Sequence, residues 1–225
     1  MPDIAGIAKH TDIEICKRSV GKLLDTVGKL DSLTILGGEL FLHPHWDEFV
    51  RWCIDDRRIK NVVLLTNATI MPSNWKVMQN DKVVLALDDY GDVSLRLSEL
   101  KECAKKHGVN YAVYRHTHWF DVTGYSLVKQ TEGELCRKYE TCQIKGCWNI
   151  SDGFLYKCTT SFYKMKYMVR KNIEGNSDFI DLLHQDTDAI RKAIERLSGK
   201  DYLDACKYCA GTGNENMIGV ARQVR

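Results

Sequence analysis

Nowhere does this sequence approach the ~20 consecutive apolar residues that a membrane-spanning helix requires. Residues 1–10 lack the apolar core of a signal peptide, so the expected location is cytoplasmic. Neither sign of charge dominates. With 32 basic and 30 acidic residues the formal net charge is +2, which calls for neither nucleic acid nor an anionic membrane as partner. Internal repeats and low-complexity tracts are absent as well, which excludes solenoid and fibrous architectures. What remains is a chain of 225 residues, 44% hydrophobic and 28% charged, long enough to bury a sizeable core in one domain or one domain with an appendage.

Its first half alternates between two patterns. Residues 12–27 carry Ile13, Cys16, Val20, Leu23, Leu24 and Val27 at helical spacing, with Thr11 or Asp12 as cap and Gly28 at the end. A short apolar run, 33–36, reads as a buried strand and stops at Gly37-Gly38-Glu39. A helix is expected over 45–56 behind Pro44, a strand over 61–65 ending in Thr66-Asn67, and a short helix from Pro72-Ser73 through Met78. A third strand, 82–87, ends in Asp88-Asp89-Tyr90-Gly91; a helix over 94–107 is closed by Gly108; a fourth strand covers 110–115. Such alternation predicts a parallel sheet with helical crossovers, its apolar strands covered on both faces. All four strand ends are polar or glycine-rich, and in α/β folds ligands bind at that rim. The plainer reading is four ordinary polar loops. On the same plain reading Gly37-Gly38-Glu39 is a tight turn with a solvated acid, whereas a ligand reading has its glycines admit a ligand close to the backbone and its carboxylate receive an ammonium or hydroxyl group.

After about residue 132 the pattern changes. Residues 119–122 read as a last strand or an edge, 132–139 as a short helix, and Asp152-Gly153 as the turn of a hairpin. Residues 187–197 form a helical pattern, and the tail from 210 to 225 is glycine-rich and polar, with low order expected. Of nine cysteines, Cys16, Cys53 and Cys103 stand singly in amphipathic segments and read as small buried apolar residues. Cys136, Cys142, Cys147, Cys158, Cys206 and Cys209 fall in the last third of the chain. In a reducing compartment such a concentration argues for metal ligation over disulfides. A Cys-x2-Cys pair (Cys206, Cys209) with cysteines from a hairpin (Cys142, Cys147, Cys158) offers five candidates for a four-thiolate site, suited alike to zinc or to an iron–sulfur cluster.

Taken together, Leu36-Gly37-Gly38-Glu39-Leu40-Phe41-Leu42-His43-Pro44, Leu65-Thr66-Asn67-Ala68, the Asp88-Asp89-Tyr90-Gly91 strand end and Gly153-Phe154-Leu155-Tyr156-Lys157-Cys158 resemble a radical S-adenosylmethionine enzyme with a SPASM or twitch-like extension. The resemblance implies a TIM-like β/α barrel over residues 1–131, incomplete here, a small cysteine-rich auxiliary-cluster domain over 132–210, and a tail over 211–225. It implies that Gly37, Gly38 and Glu39 hold the amino group of S-adenosylmethionine, with Thr66, Asn67 and Asp88 nearby. It assigns an auxiliary 4Fe–4S cluster to Cys158, Cys206 and Cys209 with Cys142 or Cys147. The implied chemistry is a deoxyadenosyl radical that abstracts hydrogen from a small-molecule or peptide substrate, with an electron donor such as flavodoxin or ferredoxin as partner. Two departures stand against the pattern. Leu40 replaces the usual proline, and the Cys-x3-Cys-x2-Cys that should precede residue 12, together with the first barrel strand, is absent. A start inside a longer protein is the expectation that accounts for the second. The rival readings are a catalytically incomplete iron–sulfur or electron-transfer remnant and a zinc-stabilised α/β binding domain. His43 and His45 are loop caps or face the cofactor, His116, His118 and Trp119 are candidate substrate contacts, and Lys164, Lys166, Arg170 and Lys171 form a basic run read as a solvated face.

Overall fold

Apolar runs bounded by polar ends become strands in the computed structural model, which describes residues 10–122, 129–162 and 178–220. The basic run Lys164, Lys166, Arg170 and Lys171 lies outside those residues, as do residues 1–9 and the last five of the tail. Two compact units divide the chain: Val27–His118 with Gly219–Arg225, and Met1–Thr26 with Trp119–Ile218.

The first of these is built on four parallel strands, β1 (Leu33–Ile35), β2 (Val62–Thr66), β3 (Val83–Asp89) and β4 (Tyr111–Arg115), in the order β1-β2-β3-β4. Register pairs Val62 with Val83 and Leu64 with Leu85, so these side chains share one face, where all four are fully buried. On the opposite face Val63, Leu65 and Val84 are only half-buried. Helix α2 (Trp46–Asp55) buries Trp46, Val50 and Cys53, and α3 (Leu97–His107) buries Leu100 and Ala104. Helix α3 ends where Gly108 adopts φ 65° and returns its N–H to Ala104 and Lys105, a left-handed stop that suits glycine. The expected mixed α/β class and parallel sheet are therefore present. The barrel is not: among the described residues the sheet has four strands and does not close on itself. The helix expected from Pro72 is reduced to a 3-10 turn, Lys76–Met78.

In the other unit, α1 (Ile13–Val27) starts where the Asp12 carboxylate accepts the Glu14 N–H at 2.8 Å, and it buries Val20, Leu23 and Leu24. A two-stranded ribbon joins β5 (Trp119–Phe120) to β9 (Met217–Ile218), so part of the glycine-rich tail is ordered against the segment expected to be an edge. Helix α4 (Glu132–Glu140) opens with a capping box in which Thr131 and Glu134 satisfy each other's backbone donors. The hairpin β6 (Asn149–Ser151) and β7 (Phe154–Tyr156) turns through Asp152 (φ 51°) and Gly153 (φ 87°), the left-handed pair that a tight hairpin requires. Strand β8 (Phe179–Asp181) extends this sheet, and α5 (Thr187–Ser198) buries Ile190, Ala193 and Leu197. Lys157, almost wholly buried, donates to the Leu197 and Ser198 carbonyls at 2.7 and 2.9 Å and so satisfies the end of α5. No helix among the described residues is long and apolar enough to cross a membrane.

Candidate functional site: the carboxyl ends of the parallel strands

Side chains from consecutive strand ends converge at the carboxyl edge of the four-stranded sheet. Glu39 follows the exposed Gly37-Gly38 turn and is itself buried. Its Oε1 accepts the Phe41 N–H at 3.1 Å, and its Oε2 accepts the Asn67 N–H at 3.1 Å. The Thr66 hydroxyl lies between both oxygens at 2.8 and 2.9 Å. Glu39 thus caps the 3-10 turn Leu40–Leu42 and ties the end of β1 to the end of β2. Burial pushes its carboxyl above the ordinary value, against the three hydrogen bonds that pull it down, and the neighbouring Asp88 charge adds to the rise. With Phe41, Thr66 and Asn67 already on its two oxygens, the carboxylate works as a clasp within the protein. Asn67 closes the other side of the turn, donating from Nδ2 to the Gly38 carbonyl at 3.1 Å while its Oδ1 accepts from Thr69.

Beside this clasp, Asp88 on β3 is buried and takes two partners. Its Oδ1 lies 2.8 Å from Nε2 of His116, and its Oδ2 accepts the Tyr90 hydroxyl at 3.1 Å. The Tyr90 ring stacks on the His116 imidazole, with centroids 5.0 Å apart and planes inclined by 26°. The His116 N–H continues the ladder onto the Asp89 carbonyl at 2.9 Å, so the imidazole is fixed by backbone, ring and carboxylate together. Its side chain nevertheless stays 38% exposed. Asp89 points elsewhere, to Arg115 Nη1 at 2.7 Å and the Gly91 N–H at 2.9 Å, and the Arg115 hydrogen bond holds its carboxyl below the ordinary value. Ser94 Oγ, 2.8 Å from both the Asn67 and Asp88 carbonyls, joins the ends of β2 and β3. Of the other histidines, His43 Nδ1 accepts the His45 N–H at 3.1 Å, which is the loop-capping role, and His118 Nδ1 pairs with the Thr117 hydroxyl. Gly37, Gly38, Glu39, Thr66, Asn67 and Asp88 therefore share one rim. The Asp88-Asp89-Tyr90-Gly91 strand end was expected on this rim; the stacking of Tyr90 on His116 and its hydroxyl on Asp88 were not.

The cysteines behave differently from expectation. Cys206 and Cys209 lie in a 3-10 segment (Asp204–Tyr208, with Cys209 as its cap), and Lys138 Nζ on α4 donates to both of their carbonyls, at 2.6 and 2.7 Å. The Gly211 N–H points at Cys209 Sγ, 3.3 Å away. Burial pushes the Cys206 thiol up to about 12, with Cys209 and Cys158 adding to the rise. Cys158 is raised in the same way, with Cys142 contributing, whereas Cys147 sits exposed in the turn that precedes β6. All nine cysteines are free thiols. Among the described residues no group of three or more His, Cys, Asp or Glu side chains could hold a metal ion.

That finding overturns the metal centre. The auxiliary 4Fe–4S cluster assigned to Cys142, Cys147, Cys158, Cys206 and Cys209 is withdrawn, and the zinc alternative goes with it. The assignment to the radical S-adenosylmethionine enzymes, the iron–sulfur remnant, the deoxyadenosyl chemistry and S-adenosylmethionine as cofactor are withdrawn on the same ground. The physical reason is visible in the thiols. Ligation needs several deprotonated sulfurs converging on one point, yet Cys147 is turned to solvent while burial favours the neutral thiol at Cys158 and Cys206. Cys53 is fully buried as expected of an apolar residue, and Cys16 and Cys103 are half-buried. No protein-family model matches the chain, and no curated protein matches it.

Proposed function

We propose that the strand-end rim binds a small polar molecule and that His116, held by Asp88, is its proton-transfer group. The observation that carries this reading is the 2.8 Å pair between Asp88 Oδ1 and His116 Nε2. An ionised carboxylate can only accept a hydrogen bond, so it selects the tautomer with the proton on Nε2 and leaves the Nδ1 lone pair as the base. Imidazole is the side chain best suited to take and return a proton near neutral pH, and a carboxylate behind it fixes its orientation. Tyr90 stacked on the ring prevents rotation. Gly37 and Gly38, exposed and with nothing within 4 Å of where a Cβ would stand, leave room for a ligand to reach their backbone groups. Glu39, Thr66 and Asn67 support the reading as the frame that keeps two strand ends in register, and Asp88 as the group that orients the base.

Isotope-edited NMR tests it. Nucleosides, sugars and amino acids are added singly to the labelled chain. Shifts concentrated at Gly37, Gly38, Asn67 and His116 for one class, lost in His116→Ala, are the expected result. In the free protein the His116 ring should show the Nε2–H tautomer, and Asp88→Asn should change it. A rim silent to every class, with a His116 tautomer indifferent to Asp88, would leave these groups as ordinary loop chemistry.

A further inference from the structure

The parallel sheet ends on β4, and the backbone of that strand is only half used. The Leu85 N–H donates to the Asn110 carbonyl and the His116 N–H to the Asp89 carbonyl, each at 2.9 Å, so the even-numbered residues turn their backbone groups to β3. These groups alternate along a strand, and the N–H and C=O of Tyr111, Val113 and Arg115 therefore point away from the sheet. None of those backbone groups has a partner among the described residues. The opposite edge offers less. Strand β1 has only three residues, the Leu33 N–H is taken by the Asn61 carbonyl at 2.9 Å, and Thr34 alone turns its backbone outward. Side chains on β4 agree with its backbone: Val113 is 41% and Tyr114 51% exposed. No proline or lysine blunts this edge, and its one charge, Arg115, is tied to Asp89 at 2.7 Å.

An open edge accepts whichever strand matches it, and β4 matches itself. Laid antiparallel about a two-fold axis at Val113, two copies set Val113 opposite Val113, Tyr111 opposite Arg115 and Ala112 opposite Tyr114. The outward-facing residues then become hydrogen-bonded pairs that exchange both N–H···O bonds. The two valines prolong the row that runs through Thr66 and the fully buried Leu87. On the other face each exposed Tyr114 covers a half-buried Ala112. Each Arg115 keeps Asp89 and lays its guanidinium beside the Tyr111 ring of the other copy, a cation–π pair. We propose that β4 is a self-association edge, through which two copies of this chain join their parallel sheets into one continuous sheet. Pairing through one short strand falls at the small end of specific interfaces, below ~1,200 Å², so the dimer is weak and exchanges quickly.

Sedimentation of the full chain over a wide range of concentration, together with isotope-filtered NOEs in a mixture of labelled and unlabelled chain, tests the pairing. The expected result is a monomer–dimer equilibrium with intermolecular NOEs from Val113 methyl to Val113 methyl and from the Tyr111 ring to Arg115. Val113→Lys sets two ammonium groups face to face at the axis and should weaken the dimer by more than about tenfold. Val113→Pro removes an N–H that β3 does not use, a change that edge strands tolerate, and should weaken it likewise. Both variants should keep the amide spectrum of β2 and β3; the wild-type NOEs decide the register whether or not they do. A chain that stays monomeric over the whole range would overturn the proposal. So would a dimer whose intermolecular NOEs lie away from β4, or one as tight in folded Val113→Lys as in wild type.

Discussion

At the scale of single residues, Glu39 shows how a group can be fully hydrogen-bonded and still be held against ionisation. Desolvation outweighs the donors from Phe41, Thr66 and Asn67, so its folded carboxyl titrates above the unfolded one. A raised acid favours the folded state fully below its unfolded value, and that contribution is lost as pH rises through the folded value. Glu39→Gln cannot ionise. Urea unfolding of wild type and variant between about pH 4 and about pH 7 should therefore show the wild type losing stability relative to the variant as pH rises. A difference that stays constant across the range would mean that burial does not govern this carboxyl. The residue could be found in the sequence; its role could not. Gly-Gly-Glu marks a strand end, but the partners that occupy both carboxylate oxygens include Thr66 and Asn67, far along the chain, and only folding brings them there. His116 and Asp88 likewise stand 28 positions apart, linked by the parallel register of β3 with β4 and by nothing local.

Elements were legible wherever a period ran long enough to register. Helices α1, α2, α3 and α5 each carry several turns of apolar spacing, and strands β2 to β4 are near-continuous apolar runs. Strand β8, three residues long, is too short to show alternation, and β9 lies in a stretch whose glycines read as disorder. The cysteine spacing was equally plain, but spacing along a chain fixes neither the direction in which a sulfur points nor its protonation, and there the metal reading failed. The hairpin was read correctly for a physical reason that can be measured. Gly153 has φ 87°, and a Cβ placed there would come within 2.7 Å of Leu183 Cδ1. Gly153→Ala should cost about 1–2 kcal/mol in chemical unfolding, from the left-handed backbone alone, with the displaced Leu183 adding to it. Gly199→Ala is the control: φ is −83° and its added Cβ would meet only ordinary contacts of 3.6 Å or more, so its cost should be far smaller. Equal costs would remove the hairpin argument.

For the molecule as a whole, two compact units imply two separate patterns of protection from solvent. Strands β2 and β3 have neighbours on both sides in the sheet, and their inward side chains are fully buried. Amides there should exchange with deuterium slowest in their unit, whereas β9, a two-residue strand with Met217 42% and Ile218 45% exposed, should exchange early. Exchange at β2 and β3 as fast as at β9 would show that the sheet is not the stable centre of its unit.

The split composition of the second unit also bears on the order in which a ribosome delivers its parts. Every strand of the parallel sheet is available once residue 118 has emerged. Helix α1 is made earlier, yet it belongs with chain made much later: Arg191 on α5 donates to the carbonyl of Thr26, and Leu182 and Leu183 line an open surface depression together with Arg18 and Lys22. At ~5–20 residues per second, α1 waits several seconds with its apolar stripe of Val20, Leu23 and Leu24 uncovered by that unit. During that interval the nascent chain carries an amphipathic helix whose apolar stripe still awaits the later chain of its own unit.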